Sequence, residues 1–461
     1  MTQRDPTRSL ATRVGELRPS PLASIARSAY PFIIALGIAF VLQSVIAPEL
    51  STFKAKILLD IGIAIVLASS LNIVNGFAGQ FSLGHAGFMM VGGYTAAVVT
   101  YYGSIRLLDV PLGVEVNVIG GFMGSGDLLF LAACVVGGLT AALAGLVVGL
   151  PSLRLRGDYL AIVTLGFGEI LRVLLQQTPE VIEPAKAVDA SLVEMMTHLG
   201  GSLGFTGLPT YVSPTPWMEN AAGEQTGHAG IFFTYAIVGI LLVAVYRLKA
   251  SNKGRELLAV RENEIAAESV GVNTARVKVT AFVFAAFFAG VGGALFAHEQ
   301  GATLNAAALG FQKSIDLVIM VVLGGMGSIT GVVVAAAFLT VLPELLRSAA
   351  PHVTELLQNV FGYEGTINPD AYRMPLYALA LIIVMIMRPQ GMFGIKELWD
   401  LGPWRRHVHP VWKKFASGWL IPRATAELPS AVVVPVKPAA QDPNPEDKSG
   451  DKPDDTKKEV S

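Results

Sequence analysis

Long apolar runs alternate with short polar connectors along most of this chain. A membrane-crossing helix needs roughly 20 predominantly apolar residues. The runs predict helices at about 30–47, 57–74, 88–102, 128–150, 158–176, 230–247, 278–298, 314–327, 329–346 and 375–389. The expected fold class is therefore all-α: a polytopic membrane protein of about ten transmembrane helices. Segments 88–102 and 314–327 are short, and each adjoins a Gly-rich polar stretch.

Charge placement orients these spans. With the N-terminus inside, the inside set holds Arg4, Arg8, Arg13, Arg18, Arg27, Arg154, Arg156, Lys249, Lys253, Arg255, Arg261 and Arg276. It also holds Lys396, Arg405, Arg406, Lys413 and Lys414. The outer segment 177–229 has only Lys186 against six acidic residues, and 103–127 has only Arg106. This asymmetry matches the positive-inside rule. It predicts cytoplasmic N- and C-termini and an even number of spans.

Composition agrees. Of 461 residues, 52% are hydrophobic and 15% charged, against about 25% charged in soluble domains. A net charge of -1 disfavours a nucleic-acid binder. The lone Cys134 excludes an internal disulfide and thiolate-held metal clusters. No apolar core precedes Tyr30, so the first run reads as a retained span and not as a cleaved signal.

The domain reading follows. Residues 1–29 form a cytoplasmic segment and 30–396 a transmembrane permease domain, with an inside loop at 248–277 and an outer loop at 177–229. Residues 397–461 form a cytoplasmic tail, expected to be disordered from about 424, where prolines mix with charges and apolar periodicity is lost.

Four features could carry function. The stretch NGFAGQFSLGHAGFMMVGGY at 75–94 places Gln80, Ser82, Gly84 and His85 beside a short apolar run. Irregular backbone at membrane depth survives only inside protein or along a wet cavity, so these residues are candidates for the translocation pathway. A Gly-rich turn with helix packing, and a hydrogen-bonded structural His85, are the competing readings. VLGGMGSITGVVVAA at 322–336, with Gly325 and Gly327, is the corresponding C-terminal region. Paired interruptions in two halves point to a two-fold internal repeat around a central site; close small-residue packing explains the same glycines.

The third feature is the inside loop, where Leu257, Val260, Ile265, Ala266 and Val270 mix with charges at helical spacing and Gly271 can stop the helix. An amphipathic surface helix lies on lipid or docks into a partner. The acidic residues Glu256, Glu262, Glu264 and Glu268 disfavour an anionic bilayer surface and favour docking. The fourth feature is a set of charges in or near spans. Asp60, Asp158 and Asp316 lie near expected span ends, where water is close. Glu169 lies deeper, with Arg172 three residues on, within helical reach for an ion pair.

There is no G-x-x-x-x-G-K-[ST] loop, so this chain should not hydrolyse ATP. No carboxylate cluster suggests ion coupling, no metal-ligand spacing appears, and neither cofactor nor catalytic residue is expected.

Several ordered stretches then resemble one family. They are GQFSLGHAGFMMVGGYTAA at 79–97, RGDYLAIVTLGFGEILR at 156–172, GGSLGFTGLP at 200–209, the run from Arg261 to His298, VLGGMGSITGVVVAAAFLTVLPELLR at 322–347, and RPQGMFG at 388–394. Together they resemble permease subunits of branched-chain amino-acid ABC importers, of the LivM type, over roughly 50–396. The resemblance implies an inner-membrane heterodimer with a second, LivH-like permease, two cytoplasmic ATPase subunits and a periplasmic substrate-binding protein. It also implies that the loop residues Arg261, Glu262, Glu264, Ala266, Ala267 and Gly271 form the ATPase coupling segment. Ile265 stands where the family's motif carries glutamate, and 178–198 looks like an insertion. Permeases for urea and short-chain amides are similar. An ion-coupled secondary transporter is the alternative from another class.

Overall fold

The computed structural model describes residues 21–107, 124–152, 158–208, 229–299 and 303–361, with Pro375, Leu379, Ile382, Ile386, Gly391, Met392, Gly394 and Glu397. Its long helices are α1 (Pro21–Val41), α2 (Thr52–Asn72), α3 (His85–Leu107), α4 (Ser125–Ser152) and α5 (Asp158–Gln176). After two short helices, α6 (Pro184–Ala187) and α7 (Leu192–Thr197), comes α8 (Ala229–Ala250). The inside loop forms α9 (Asn252–Glu262) and α10 (Glu264–Ser269), followed by α11 (Thr274–Glu299), α12 (Phe311–Gly324) and α13 (Ile329–Phe361). Nine of the ten predicted segments are thus helices; the tenth, 375–389, lies almost wholly outside the described residues, as does the tail from 398.

Among the described residues, seven helices are long and apolar enough to cross a membrane. The chain is an all-α polytopic membrane protein. Three boundaries differ from expectation. Segment 88–102 is not short: α3 has 23 residues, because the helix takes in His85–Gly87 before the apolar run and Gly103–Leu107 after it. The α12 helix is short, with 14 residues, and begins earlier than the run at Phe311. The α13 helix continues to Phe361.

The centre is α3, α4 and α11, packed backbone to backbone. A Cβ on Gly92 would sit 2.2 Å from the Gly290 Cα, and one on Gly290 would sit 2.6 Å from the Gly137 carbonyl. Small residues permit this approach where water provides no driving force between helices. Phe88 and Phe282 fill the space beside it, both fully buried.

The two ends of the bundle differ. At the end away from α9 and α10, residues 177–208 fold over α3 and α5. Tyr101 donates to the Ile182 carbonyl at 3.0 Å, and Arg106 donates to the carbonyls of Ala187, Val188 and Ala190. Ser191 and Glu194 form a reciprocal N-terminal cap on α7. Two-residue strands β1 (Phe205–Thr206) and β2 (Thr303–Leu304) pair antiparallel, Phe205 opposite Leu304, and close this cap. Residues 177–208 of the outer loop are therefore structured.

Candidate functional site

The other end, carrying α9 and α10, holds most of the sequence-predicted residues. The α2 helix widens into a π-turn over Ile73–Phe77, and the chain then runs without helix from 78 to 84 before α3 begins at His85. The backbone groups freed there find side-chain partners. Asn75 accepts from the Ser82 amide at 3.1 Å, and Thr164 of α5 accepts from the Leu83 amide at 3.1 Å. Gly84 lies so close to α5 that a Cβ would meet the Thr164 carbonyl at 2.3 Å. Ser70 gives its single hydroxyl proton to the Leu67 carbonyl, so His85 Nε2–H donates in its 2.8 Å contact with that hydroxyl. His85 is buried among α2, α3 and Phe88.

The second Gly-rich stretch meets the first. Asn72, 1% exposed, accepts from the Gly327 amide at 2.9 Å and donates to the Ser328 carbonyl at 3.1 Å. Gly325 and Gly327 take positive φ, +106° and +93°, in the tight turn between α12 and α13. Gln80, Ser82, Gly84, His85, Gly325 and Gly327 are all buried. The two stretches predicted as a repeat are therefore in mutual contact.

The inside loop locks onto this junction. Arg261, the penultimate residue of α9, donates to the Gly76 carbonyl at 2.7 Å and to the Met326 carbonyl at 3.4 Å. Its stem covers Gly79, where a Cβ would sit 2.7 Å from Arg261 Cγ. The single amphipathic helix expected here is two helices. Asn263 adopts an extended conformation, φ −159°, and its side chain caps α10 by accepting from Ala266 N at 3.0 Å. The α10 helix ends as expected at Gly271, φ +86°, with Val272 N donating to Ala267 O and Gly271 N to Glu268 O. Ion pairing of Glu264 with Lys278, and a 2.6 Å bond from Thr274 to Glu268, tie α10 to α11. Leu257, Val260 and Ala267 face inward, while Ala266 and Glu262 are exposed. Ile265 and Val270 are 71% and 78% exposed.

Sequence reasoning missed Glu397. It pairs with Lys249 and accepts from Ile329 N (3.2 Å), Thr330 N (3.0 Å) and Thr330 Oγ1 (2.7 Å), which caps α13. Burial pushes its carboxyl up, but Lys249 and the Thr330 donors outweigh that and hold it below the usual range. The only signal was its place three residues after RPQGMFG. Lys249 also donates to the Gly327 carbonyl at 2.8 Å. Asn72 was legible only as a polar residue inside an apolar run.

The remaining charges separate. Glu169 and Arg172 form the expected pair at 2.7 Å, and Glu169 also accepts from Phe311 N at 2.9 Å. Asp60 lies beside Lys56 at 3.9 Å. Asp316 is 5% exposed, away from the water expected near it: α12 begins at the exposed Phe311, and Asp316, more than a turn on, faces inward. The Asp158 side chain is outside the described residues. Among the described residues, no group of three His, Cys, Asp or Glu could hold a metal.

A bundle of apolar helices, two interrupted Gly-rich segments in contact and an inside loop locked onto them define a multi-pass membrane protein. The profile of the family described as branched-chain amino acid transport system / permease component matches residues 54–386. The chain belongs to this family. It is 34% identical over 336 residues to the high-affinity branched-chain amino acid permease protein LivM of Salmonella typhimurium, covering 72% of this chain and 67% of that protein. It is 34% identical over 340 residues to LivM of Escherichia coli K12, with the same shares covered. The sister permease LivH of Escherichia coli K12 is 28% identical over 180 residues, covering 39% of this chain and 52% of LivH. No solved structure matches the chain. The chain is a permease component of an ABC importer, homologous to both LivM and LivH.

Proposed function

We propose that this permease carries branched-chain amino acids (leucine, isoleucine or valine) across the bacterial inner membrane, with both termini in the cytoplasm. It pairs with a LivH-like permease, receives substrate from a periplasmic binding protein and is driven by two cytoplasmic ATPase subunits. The chain itself does no covalent chemistry and needs no cofactor. The substrate rests on the names of the LivM relatives.

One observation carries the coupling role. On α10 Ile265, and just past its end Val270, project apolar side chains to solvent from a helix anchored at both ends. A free surface helix gains nothing from this; a docked one buries both residues at roughly 1.5–3 kcal/mol each. Movement of α10 by an ATPase would pass through Arg261 to the Gly76 and Met326 carbonyls. There Gln80, Ser82, Gly84, His85, Gly325 and Gly327 adjoin the pathway.

Ile265→Glu tests this reading. The side chain is exposed, so the protein should fold and reach the membrane normally, while ATPase co-purification and ATP-driven uptake in vesicles are lost. Retained uptake with this variant removes the docking assignment. Uptake that follows only an ion gradient supports the secondary-transporter alternative. Charges on Ala267 are a poor test, because that residue is 3% exposed.

A further inference from the structure

The bundle exposes apolar side chains on several sides; on α5 and on α13 (Glu344–Arg347) an ion pair lies beside them, the second at the end of the apolar stretch Ile329–Leu345. On α1 the exposed row is Ile33, Leu36, Phe40 and Val41; on α4 it is Val135, Leu139, Leu143 and Val147. No ionisable residue interrupts either row, so hydrocarbon can cover both. On α5 the exposed row is Tyr159, Ile162, Ile170 and Leu174. Beside it lies the Glu169–Arg172 pair, whose side chains are 34% and 28% exposed. Arg172 also donates to Gln176 at 3.0 Å, and Glu169 takes the first amide of α12. Counting 1.5 Å per residue, Glu169 lies roughly 16 Å from one end of α5 and 10 Å from the other. Charged groups at such depth face protein or water, not lipid tails.

Gly166 sits in the middle of the same row. A Cβ there would meet nothing within 4 Å. Within the bundle, Gly92, Gly137, Gly290 and Gly293 on α3, α4 and α11 instead meet a neighbouring backbone. An open glycine between Ile162 and Ile170 leaves a notch into which a partner helix fits closely.

We propose that the face formed by α5 and the start of α12, centred on Glu169 and Arg172, is the surface on which the second permease subunit closes, with Gly166 at the nearest helix approach. This rests on the heterodimer reading above. The partner presents an apolar helix with a small residue opposite Gly166 and polar groups opposite the ion pair. The α1 and α4 faces remain in lipid.

Two open glycines make the test symmetrical, because a Cβ on Gly37 of α1 also meets nothing within 4 Å. Leucine therefore fits at either position in this chain alone. Co-express the tagged chain with the sister permease of the same importer and measure the sister's recovery. Gly166→Leu should lower it about tenfold, as overpacking a close contact does, while Gly37→Leu leaves it unchanged. As a second readout, maleimide should label Ile170→Cys in the chain expressed alone and be blocked by the sister subunit; Leu139→Cys should show no such protection. Undiminished recovery with Gly166→Leu, or loss with Gly37→Leu instead, overturns the assignment of this face. Failure of the unaltered chain to recover the sister subunit overturns the heterodimer reading itself.

Discussion

Arg261 and Gly76 lie 185 positions apart, yet the guanidinium of one donates to the carbonyl of the other at 2.7 Å. That bond joins the inside loop to the point where α2 loses its regular helix. The same guanidinium reaches Met326, so one side chain touches both Gly-rich segments. Arg261→Ala should cost about 1.5–3 kcal/mol, the range for hydrogen bonds to a charged group. A lower unfolding midpoint in detergent would register it. Uptake per ATP hydrolysed should fall, because the loop then moves without the junction. An unchanged ratio would show that Arg261 is only an anchor.

Gly271 closes α10 in the left-handed region, which costs most residues about 1–2 kcal/mol. Its Cβ position is open, so crowding does not confuse the test. Gly271→Val should loosen α10 and reduce ATPase co-purification. Gly271→Asn should retain more of it, since asparagine tolerates this conformation. Equal behaviour of the two variants would separate the turn geometry from docking.

Glu397 supplies a pH dependence. Its carboxyl is held below the ordinary range in the folded protein. Its contribution is therefore present above the unfolded value of about 4.3 and is lost as pH falls through the lower folded value. Thermal stability of the unaltered protein should fall across that acid window. Glu397→Gln should be less stable near neutral pH and should lack that part of the fall. Parallel pH profiles for the two proteins would contradict the cap on α13.

Gly84 is required by proximity. A Cβ would lie 2.3 Å from the Thr164 carbonyl, a backbone atom that cannot rotate away. Gly84→Ala should cost about 1–3 kcal/mol through overpacking. Separation of α3 from α5 would also release the Leu83 amide from Thr164. Limited proteolysis at 78–84 would report the opening; unchanged cleavage would mean that α5 shifts to make room.

Much was legible from local pattern. Apolar runs mark spans because hydrocarbon accepts only helices with every backbone group bonded internally. Gly271 marks the end of α10 because its conformation is local, and Glu169 with Arg172 follows from the helical period alone. The break at Asn263 escaped because charges and apolar residues keep their spacing across it; only the cap it forms on Ala266 separates α9 from α10.

The chain alone determined which segments enter a membrane, where charge collects and where helices must break, since each depends on neighbours a few residues away. Tertiary structure decided what the breaks are for. Asn72 meets Gly327 across 255 positions, Arg261 bridges both glycine stretches, and Glu397 caps a helix that begins 68 residues before it. Such polar contacts satisfy buried backbone groups whose partners no local pattern names. Only the folded bundle leaves Gly166 open while Gly92, Gly137, Gly290 and Gly293 are met by a neighbouring backbone.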